Sequence, residues 1–299
     1  MTSTRLEAHC PPHTVLAPEF AAHVERAADH LAQAGITGAP HAVVLGSGLG
    51  SFVDGMDVQA EVAFGEVPGV AAATVVGHSG RIVQARHDGH DVVVLQGRLH
   101  GYEGLAMRQV VLPLLAVRAL GAETVVLTNA AGGLHPDMHA GDLAVITDLI
   151  DLHLVDPLRG ILRPAAGVPN ELTLRGLRTG HLFDPALARR LRDVAPGPVH
   201  TGTYVSVWGP NYEPPLEIGF MRRIGGIAVG MSTGPEAVAL RAFGAKVAGI
   251  SMITNVSVET GAAVVTHDEV VEVGAARADA MEAMLHRVLD ELARKTGNR

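Results

Sequence analysis

Residues 43–50 read VVLGSGLG, an apolar run that ends in three alternating glycines around one serine. A short run of β-branched residues and leucine is typical of a buried strand, and the glycines indicate a tight turn after it. Similar apolar runs lie along the chain at 81–86, 91–97, 124–130, 142–150, 199–209, 227–231 and 246–255. Helical periodicity fits the stretches 18–34, 105–120, 185–194, 214–224, 235–243 and 267–295. Strands that alternate with helices in this way predict an α/β fold.

Length and composition favour one large domain. The chain has 299 residues, of which 47% are hydrophobic, enough to bury a sizeable core. We expect a disordered segment over 1–15 and a single domain over 16–299. Within this domain we expect an irregular loop at about 153–183, where proline and glycine are frequent and helical periodicity is poor. The regular α/β pattern resumes after this loop, which therefore does not link two domains.

Charge and cysteine content argue against several classes of protein. The formal net charge is −8 and the sequence has no lysine–arginine tract, which disfavours nucleic acid and anionic membranes as partners. The single cysteine, Cys10, cannot form an internal disulfide framework, and no apolar run has the length that crosses a bilayer. We therefore expect a cytoplasmic protein whose ligand is a small molecule.

Several of the predicted strands end in small, polar or charged residues. Ligands of open α/β sheets lie at the carboxyl ends of strands, so these endings predict the walls of one site. The five endings are VVLGSGLG, VVLQGRLHGYEG, VVLTNAAGG, YVSVWGPNYE together with AVGMSTGPE, and AGISMITN. In the segment NAAGG at 129–133, small side chains would allow a ligand to approach the backbone.

The glycine turn after the first run has three interpretations. Gly46, Gly48 and Gly50 follow GxGxG, but Ser51 stands where the third small residue of the dinucleotide fingerprint GxGxxG belongs. This departure disfavours an NAD-dependent dehydrogenase. The second interpretation is an anion-binding nest of backbone N–H groups, to which Ser47 adds a hydroxyl. The third is a tight turn without any ligand.

Three polar side chains alternate directly after the run at 91–97. In extended geometry Arg98, His100 and Tyr102 would point to the same side. Arg98 offers a planar fork that suits phosphate, His100 offers a second donor, and Tyr102 offers a hydroxyl on a rigid ring. The alternative is an ion pair of Arg98 with Glu103 or with another surface acid.

The chain resembles the trimeric class of purine nucleoside phosphorylases in seven motifs that keep their order and spacing: VVLGSGLG, VGHSGR, LQGRLHGYEG, LTNAAGGL, GTYVSVWGPNYE, GMSTGPEA and ISMITN. The resemblance extends from about residue 21 to the C-terminal helix. It implies a single α/β domain with a mixed, twisted central β-sheet flanked by helices, a homotrimer, and no metal or organic cofactor. It also implies that inorganic phosphate, as co-substrate, cleaves purine (deoxy)nucleosides to free base and (deoxy)ribose 1-phosphate, a reaction of purine salvage.

The resemblance also implies roles for individual residues. The phosphate ligands are Ser47, His78, Arg98, His100, the backbone of Ala130, and Ser232. The sugar contacts are Tyr102, Met231 and His267. The base contacts are Tyr212, Glu213 and Asn255, and the catalytic groups are Glu213, Asn255 and His100. On this interpretation the opening glycine turn binds the phosphate that becomes the nucleophile.

Asn255 and Glu213 determine the expected chemistry. Cleavage builds positive charge on the sugar and leaves electrons on the purine. Asn255 can bond N7 and O6 of a 6-oxopurine, and Glu213 can accept a hydrogen bond from N1–H. The related methylthioadenosine phosphorylases carry Asp at the position of Asn255, so this chain resembles the enzymes for inosine and guanosine. A methylthioadenosine phosphorylase is the alternative.

Other interpretations stay open. A purine-binding protein without turnover and a nucleoside hydrolase that uses water would have similar pockets. Glu213 could instead lie in the first turn of a helix, and Met231 could be a core residue. Asn255 could cap a turn, and His267 could cap the start of a helix.

The segment after Asp151 matches the family poorly. In the family trimer, this part of the chain lends an aromatic residue to the sugar site of the neighbouring subunit. Phe183 is our candidate for that role. Trp208 and the two prolines after Glu213 also depart from the family pattern, in the part of the chain that shapes the base pocket.

Overall fold

The computed structural model describes residues 4–74, 79–167, 180–256 and 277–296. The strands are β1 Thr14–Leu16, β2 His41–Leu45, β3 Asp57–Ala63, β4 Arg81–His87, β5 His90–Gln96, β6 Thr124–Gly133, β7 Leu143–Asp151, β8 Leu162–Pro164, β9 Val199–Ser206, β10 Gly226–Gly230 and β11 Lys246–Val256. The helices are α1 Pro18–Gln33, α2 Met107–Val110, α3 Leu112–Ala119, α4 Pro185–Val194, α5 Pro215–Arg223, α6 Gly234–Ala242 and α7 Ala278–Thr296.

Nine of these strands form one mixed sheet in the order β10-β9-β7-β11-β6-β2-β5-β4-β3. Strands β5, β2, β6 and β11 are parallel to one another, while β7, β9 and β10 run together in the opposite direction. Strand β10 also pairs antiparallel with β6, where Ala228 lies opposite Gly133 and Val229 opposite Gly132. This extra pairing closes five strands into a ring. The predicted mixed central sheet with flanking helices is confirmed.

Strand β6 changes its neighbour along one edge. Strand β11 pairs with the whole of β6, but on the other edge β2 pairs with 124–127 and β10 pairs with 132–133. The edge at 128–131 therefore faces a crevice between the end of β2 and the end of β10. Ligands of α/β sheets bind at such a change of neighbour.

The sheet is buried on both faces. Along β2, Ala42 and Val44 belong to one core while Val43 and Leu45 belong to another, because successive side chains point to opposite faces. Helices α1, α3 and α6 cover the first core, and α4 and α7 cover the second. None of the helices within the described ranges is both long and apolar enough to span a membrane.

Differences from the predicted elements have local causes. The predicted helix over 105–120 is divided into α2 and α3, since Pro113 lies in the first turn of α3 and has no N–H to continue a helix. Strands β1 and β8 have only three residues each, and the edge strand β3 buries only Val62, so none of them shows an apolar run. Helix α7 is described from Ala278 onward, and the part predicted over 267–276 lies outside the described residues.

Residues 4–16, which overlap the segment expected to be disordered over 1–15, contact the rest of the chain. Leu6 is buried in the first core, and Arg5 pairs with Glu25 at 3.5 Å and with Asp29 at 2.8 Å. Strand β1 pairs antiparallel with β8, which belongs to the loop expected at 153–183. An apolar anchor, two ion pairs and a strand partner thus hold the segment on the domain.

Phe183 does not extend toward a neighbouring subunit, so that prediction is wrong. Its side chain is 1% exposed and lies in the first core. A Cβ at Gly249 would lie 2.9 Å from Phe183 Cε1, which means that the ring fills the space over this glycine of β11. Phe183 immediately precedes Asp184, the N-cap of α4, and anchors the start of that helix in the core.

Truncation of the Phe183 ring tests its place in the core. We expect Phe183→Ala to lower the free energy of unfolding by about 3–5 kcal/mol, because it removes a buried ring and leaves a cavity. Urea denaturation followed by circular dichroism measures the change. Phe220→Ala is the matched control, since Phe220 is 48% exposed. Unchanged stability of Phe183→Ala combined with a loss of activity would restore the intersubunit role.

Candidate active site

One pocket brings together the predicted site residues that fall within the described ranges. It opens at the crevice along β6, between the ends of β2 and β10. Ten of its lining residues were predicted from the sequence: Ser47, Arg98, His100, Tyr102, Ala130, Tyr212, Glu213, Met231, Ser232 and Asn255. The other two predicted residues, His78 and His267, lie outside the described residues.

The glycine turn is held against β6. A Cβ at Gly46 would lie 2.9 Å from Asn129 Cα, so glycine is required for this close approach. The N–H of Gly46 donates to Thr128 Oγ1 at 2.9 Å, and the Thr128 hydroxyl donates to the carbonyl of Val44 at 2.9 Å. The N–H of Gly46 is therefore used inside the fold, and Ser47 is the residue of this turn that lines the pocket.

The turn lacks the geometry of a dinucleotide-binding motif. It continues into the 3₁₀ helix Gly50–Val53 and does not open an α-helix. In dinucleotide-binding folds the pyrophosphate lies at the N-terminus of such an α-helix. The interpretation as an NAD-dependent dehydrogenase rested on this turn alone and loses its support.

Arg98 forms a buried ion pair with Glu236, and Glu103 bonds elsewhere. Arg98 Nε lies 2.9 Å from Glu236 Oε1, and Arg98 Nη2 lies 3.3 Å from Glu236 Oε2. The side chains of Arg98 and Glu236 are 3% and 2% exposed. The partner of Arg98 is thus Glu236, in the first turn of α6, and not the surface acid considered as the alternative. The one feature of the sequence that could have indicated Glu236 is its place directly after Pro235, at the start of the helix predicted over 235–243.

His100 is held by a second carboxylate. Glu103 Oε1 accepts from the backbone N–H of His100 at 2.8 Å and lies 3.0 Å from His100 Nδ1. Glu103 Oε2 accepts from the hydroxyl of Thr74. Burial alone would raise the pKa of Glu103, but the hydrogen bonds from His100 and Thr74 outweigh it and lower the pKa to about 2. This carboxylate fixes the orientation of the imidazole.

Ser232 reaches the pocket on a strained corner between β10 and α6. Thr233 is fully buried and has φ 51° and ψ −46°, a conformation that β-branched residues rarely adopt. Asn129 Nδ2 donates to Thr233 Oγ1 at 2.8 Å, and Ser206 Oγ donates to the carbonyl of Ser232 at 2.9 Å. Hydrogen bonds from β6 and β9 therefore hold the corner in place. Backbone strain of this kind is frequent at binding sites.

Tyr102 and Met231 meet over Gly209. This glycine has φ 73°, and a Cβ there would collide with Met231 Sδ and lie 3.1 Å from Tyr102 Cδ1. The Tyr102 ring also stacks on the ring of His100, with centroids 4.6 Å apart. Burial raises the pKa of Tyr102 to about 12, so its hydroxyl keeps its proton at neutral pH.

Asn255, Glu213 and Tyr212 add an amide, a carboxyl and an aromatic ring to the lining of the pocket. The Thr254 hydroxyl donates to Asn255 Oδ1 at 3.2 Å and orients the amide, a contact that was not predicted from the sequence. Burial raises the pKa of Glu213, a backbone hydrogen bond partly opposes this shift, and Glu217 adds to it. Tyr212 is 43% exposed. These groups can bond the edge of a planar heterocycle and cover its face.

One group of side chains in the described ranges could hold a metal ion, and it lies outside the pocket. Ligand atoms of His87, Asp88 and Asp290 lie within 4.8 Å of one another. His87 Nε2 and Asp290 Oδ1 bond directly at 2.8 Å. The pocket itself combines hydroxyl, guanidinium and imidazole donors with one carboxyl, a set that suits an anion and a heterocycle better than a metal.

Comparisons with known proteins agree with one another. The profile of the Phosphorylase superfamily matches residues 40–290. The chain is 37% identical over 256 residues to Purine nucleoside phosphorylase 1 of Bacillus subtilis, and the match covers 84% of this chain and 91% of that protein. It is 38% identical over 257 residues to the purine nucleoside phosphorylase of Bos taurus, and this match covers 81% of this chain and 85% of that protein.

Solved structures are similar over nearly the whole chain. A schistosoma purine nucleoside phosphorylase in complex with hypoxanthine has a TM-score of 0.79 and 31% identity, covering 91% of this chain and 97% of that one. The Schistosoma mansoni purine nucleoside phosphorylase in complex with adenosine has a TM-score of 0.80, with the same identity and coverage. The similarity therefore includes both the fold and the sequence.

Replacement of Glu103 tests its hydrogen bonds. Its pKa is about 2 in the folded protein against 4.5 for an ordinary glutamate, so its contribution to stability is complete above pH 4.5 and is lost as the pH falls toward 2. We expect Glu103→Gln to lower the free energy of unfolding by about 1–2 kcal/mol at pH 7, less than the full shift gives because the glutamine amide oxygen still accepts a hydrogen bond. The difference should shrink between pH 4.5 and 3.

Urea denaturation of both proteins at pH 7, 4.5 and 3 measures this difference. Glu66→Gln is the control, since Glu66 accepts a backbone N–H from Ala63 at 3.2 Å on the exposed surface. A difference for Glu103→Gln that does not change with pH would contradict the lowered pKa.

Proposed function

We propose that this chain, which belongs to the phosphorylase superfamily and within it to the purine nucleoside phosphorylases, cleaves the N-glycosidic bond of inosine, guanosine and their deoxy forms with inorganic phosphate. The products are the free purine and (deoxy)ribose 1-phosphate, which makes the protein a pentosyltransferase of purine salvage. The observation that carries the proposal is that one pocket is lined both by donors for an anion and by an amide with a carboxyl.

We assign the phosphate to the end of the pocket formed by Ser47, Arg98, His100, the backbone of Ala130, and Ser232. These donors come from the ends of four different strands. A polyanion gives up its hydration only to several charged and neutral donors, and this set offers a guanidinium, an imidazole and two hydroxyls. His78 is assigned to the same group by the resemblance alone.

The sugar lies between the phosphate and the base in this proposal. A phosphate oxygen forms a bond to C1′ while the bond from C1′ to N9 breaks, and the bonding electrons pass to the purine. Tyr102 and Met231 lie beside the phosphate donors and are assigned to the sugar. His267 is assigned to the 5′-hydroxyl by resemblance. The nearby phosphate charge stabilises the positive charge that develops on the sugar.

Asn255 and Glu213 are assigned to the leaving purine. The Asn255 amide donates to O6 and accepts from N7–H as the ring gains the bonding electrons and, through solvent, the proton that the hydrogen phosphate loses, while Glu213 accepts from N1–H. The Thr254 hydroxyl supports this assignment, because it holds one side of the amide in place. Tyr212 is assigned to the face of the ring.

We further propose a homotrimer in the cytoplasm that needs phosphate as co-substrate and neither a metal nor an organic cofactor. The motifs shared with the trimeric class and the single cysteine support this part of the proposal. Since Phe183 is buried in its own core, it does not contribute to a neighbouring site. Light scattering of the purified protein measures the number of subunits.

Release of hypoxanthine from inosine tests the function. We expect release only when phosphate is present, because the phosphate is the nucleophile. Adenosine and methylthioadenosine are run in parallel under the same conditions. Release without phosphate would identify a hydrolase, preference for methylthioadenosine would identify the alternative phosphorylase, and binding of purine without turnover of any nucleoside would identify a binding protein.

Replacement of Asn255 tests the substrate class. We expect Asn255→Asp to lower kcat/KM for inosine by about 100-fold, since a carboxylate cannot donate to O6, and to raise kcat/KM for adenosine. Because a similar protein was crystallised with adenosine, turnover and not binding is measured. Asn255→Ala is the control, and it should lose inosine turnover without a gain for adenosine. If Asn255→Asp leaves the ratio of kcat/KM for inosine to kcat/KM for adenosine unchanged, the assignment of Asn255 to O6 is contradicted.

A further inference from the structure

Glu236 lies behind the phosphate end of the pocket and has no role in the proposed function. Arg98 lines the pocket, while Glu236 does not. Both side chains are nearly inaccessible to solvent, at 3% and 2% exposed. Taking two charges out of water is costly, and the cost is offset only when the pair has good geometry. The question is what this buried carboxylate does for the guanidinium in front of it.

The two bonds to Glu236 use one defined edge of the Arg98 guanidinium. Nε and Nη2 point to the carboxylate, at 2.9 Å and 3.3 Å from its two oxygens. The end edge of the planar group carries the second N–H of Nη2 and one N–H of Nη1, and it lies at an angle to the side edge that Glu236 binds. A guanidinium presents its donors in a rigid fork. Clamping the side edge therefore sets the direction of the end edge.

The same helix start positions a second phosphate donor. Glu236 lies in the first turn of α6, where the helix dipole favours a negative charge. Ser232 lies four residues earlier on the corner that Asn129 and Ser206 hold in place. The Ser232 hydroxyl and the Arg98 fork, although they come from distant parts of the chain, are thus fixed to the same structural unit.

We propose that Glu236 is a positioning residue for the phosphate co-substrate, which clamps the side edge of Arg98 so that its end edge meets two oxygens of the anion. The proposal rests on the function assigned above. Its consequence is specific: loss of the carboxylate affects the phosphate half of the reaction and leaves the nucleoside half unchanged.

Glu236→Gln tests the clamp while keeping the size of the side chain. The amide retains one acceptor for Nε, but its NH₂ group opposes Nη2. We expect the KM for phosphate to rise at least 10-fold and kcat to fall several-fold, while the KM for inosine stays within 2-fold. Titration calorimetry with inorganic phosphate alone should show the same loss of affinity. If the Gln variant does not fold, Glu236→Asp replaces it, since Asp keeps the charge but shortens the reach by one methylene.

Glu19→Gln is a matched control. Glu19 also follows a proline in the first turn of a helix, α1, but it is exposed, so the variant removes a comparable dipole interaction without a buried arginine. It should leave both KM values unchanged. Arg98→Lys completes a double-mutant cycle, because lysine has no fork to clamp. In that background Glu236→Gln should change the KM for phosphate less than 3-fold.

Three results would overturn the proposal. The first is an unchanged KM for phosphate in a folded Glu236→Gln variant. The second is an equal rise of both KM values together with a lower melting temperature, which indicates a structural role only. The third is a lower KM for phosphate, which shows that the carboxylate acts by repelling the anion. Suppose that the wild-type protein binds phosphate more tightly than Glu236→Gln does, but cleaves no nucleoside. The assigned function is then wrong, while the positioning role of Glu236 is supported.

Discussion

Two residue pairs between β10 and β6 hold the candidate site together. Ala228 opposite Gly133 and Val229 opposite Gly132 close the ring of five strands, although the two strands run in opposite directions. Without this pairing, the end of β10 would lie at the far edge of the sheet, because β9, β7 and β11 separate it from β6 in the strand order. The ring therefore brings Met231 and Ser232 to the donors that follow β2 and β5.

The sequence predicted the members of the site better than the geometry that unites them. Residues such as Arg98 and Asn255 follow recognisable apolar runs, and a polar residue at the end of a buried strand is a local signal. The ring closure has no such signal, since it depends on the summed curvature of several strands. Glu236 and Glu103 were also missed as partners of Arg98 and His100, because the pairing of acids with bases depends on distances in space. Phe183 was assigned wrongly because it lies in a segment that matches the family poorly. It is buried because it directly precedes helix α4 and anchors the start of this helix in the core.

Carboxylates face the basic side chains of the pocket. Arg98 pairs with Glu236, and Glu103 Oε1 lies 3.0 Å from His100 Nδ1. The positive charge of Arg98 is therefore offset within the fold. Selection of an anion at such a site depends on the direction of hydrogen-bond donors more than on net charge. The backbone must therefore hold these donors in fixed directions. The strained conformation of Thr233 and the close approach of Gly46 to Asn129 contribute to this rigidity.

The pairing of β6 with three neighbours also limits how the family can change in evolution. A one-residue insertion or deletion within β6 would turn every following side chain to the opposite face of the sheet. Asn129 would then leave the Thr233 corner, and the registers with β10 and β11 could not both be kept. We therefore expect changes of length in the connections outside the ring, such as the segment between β7 and α4. Inside the ring, exchange of one side chain for another is the change that keeps both registers.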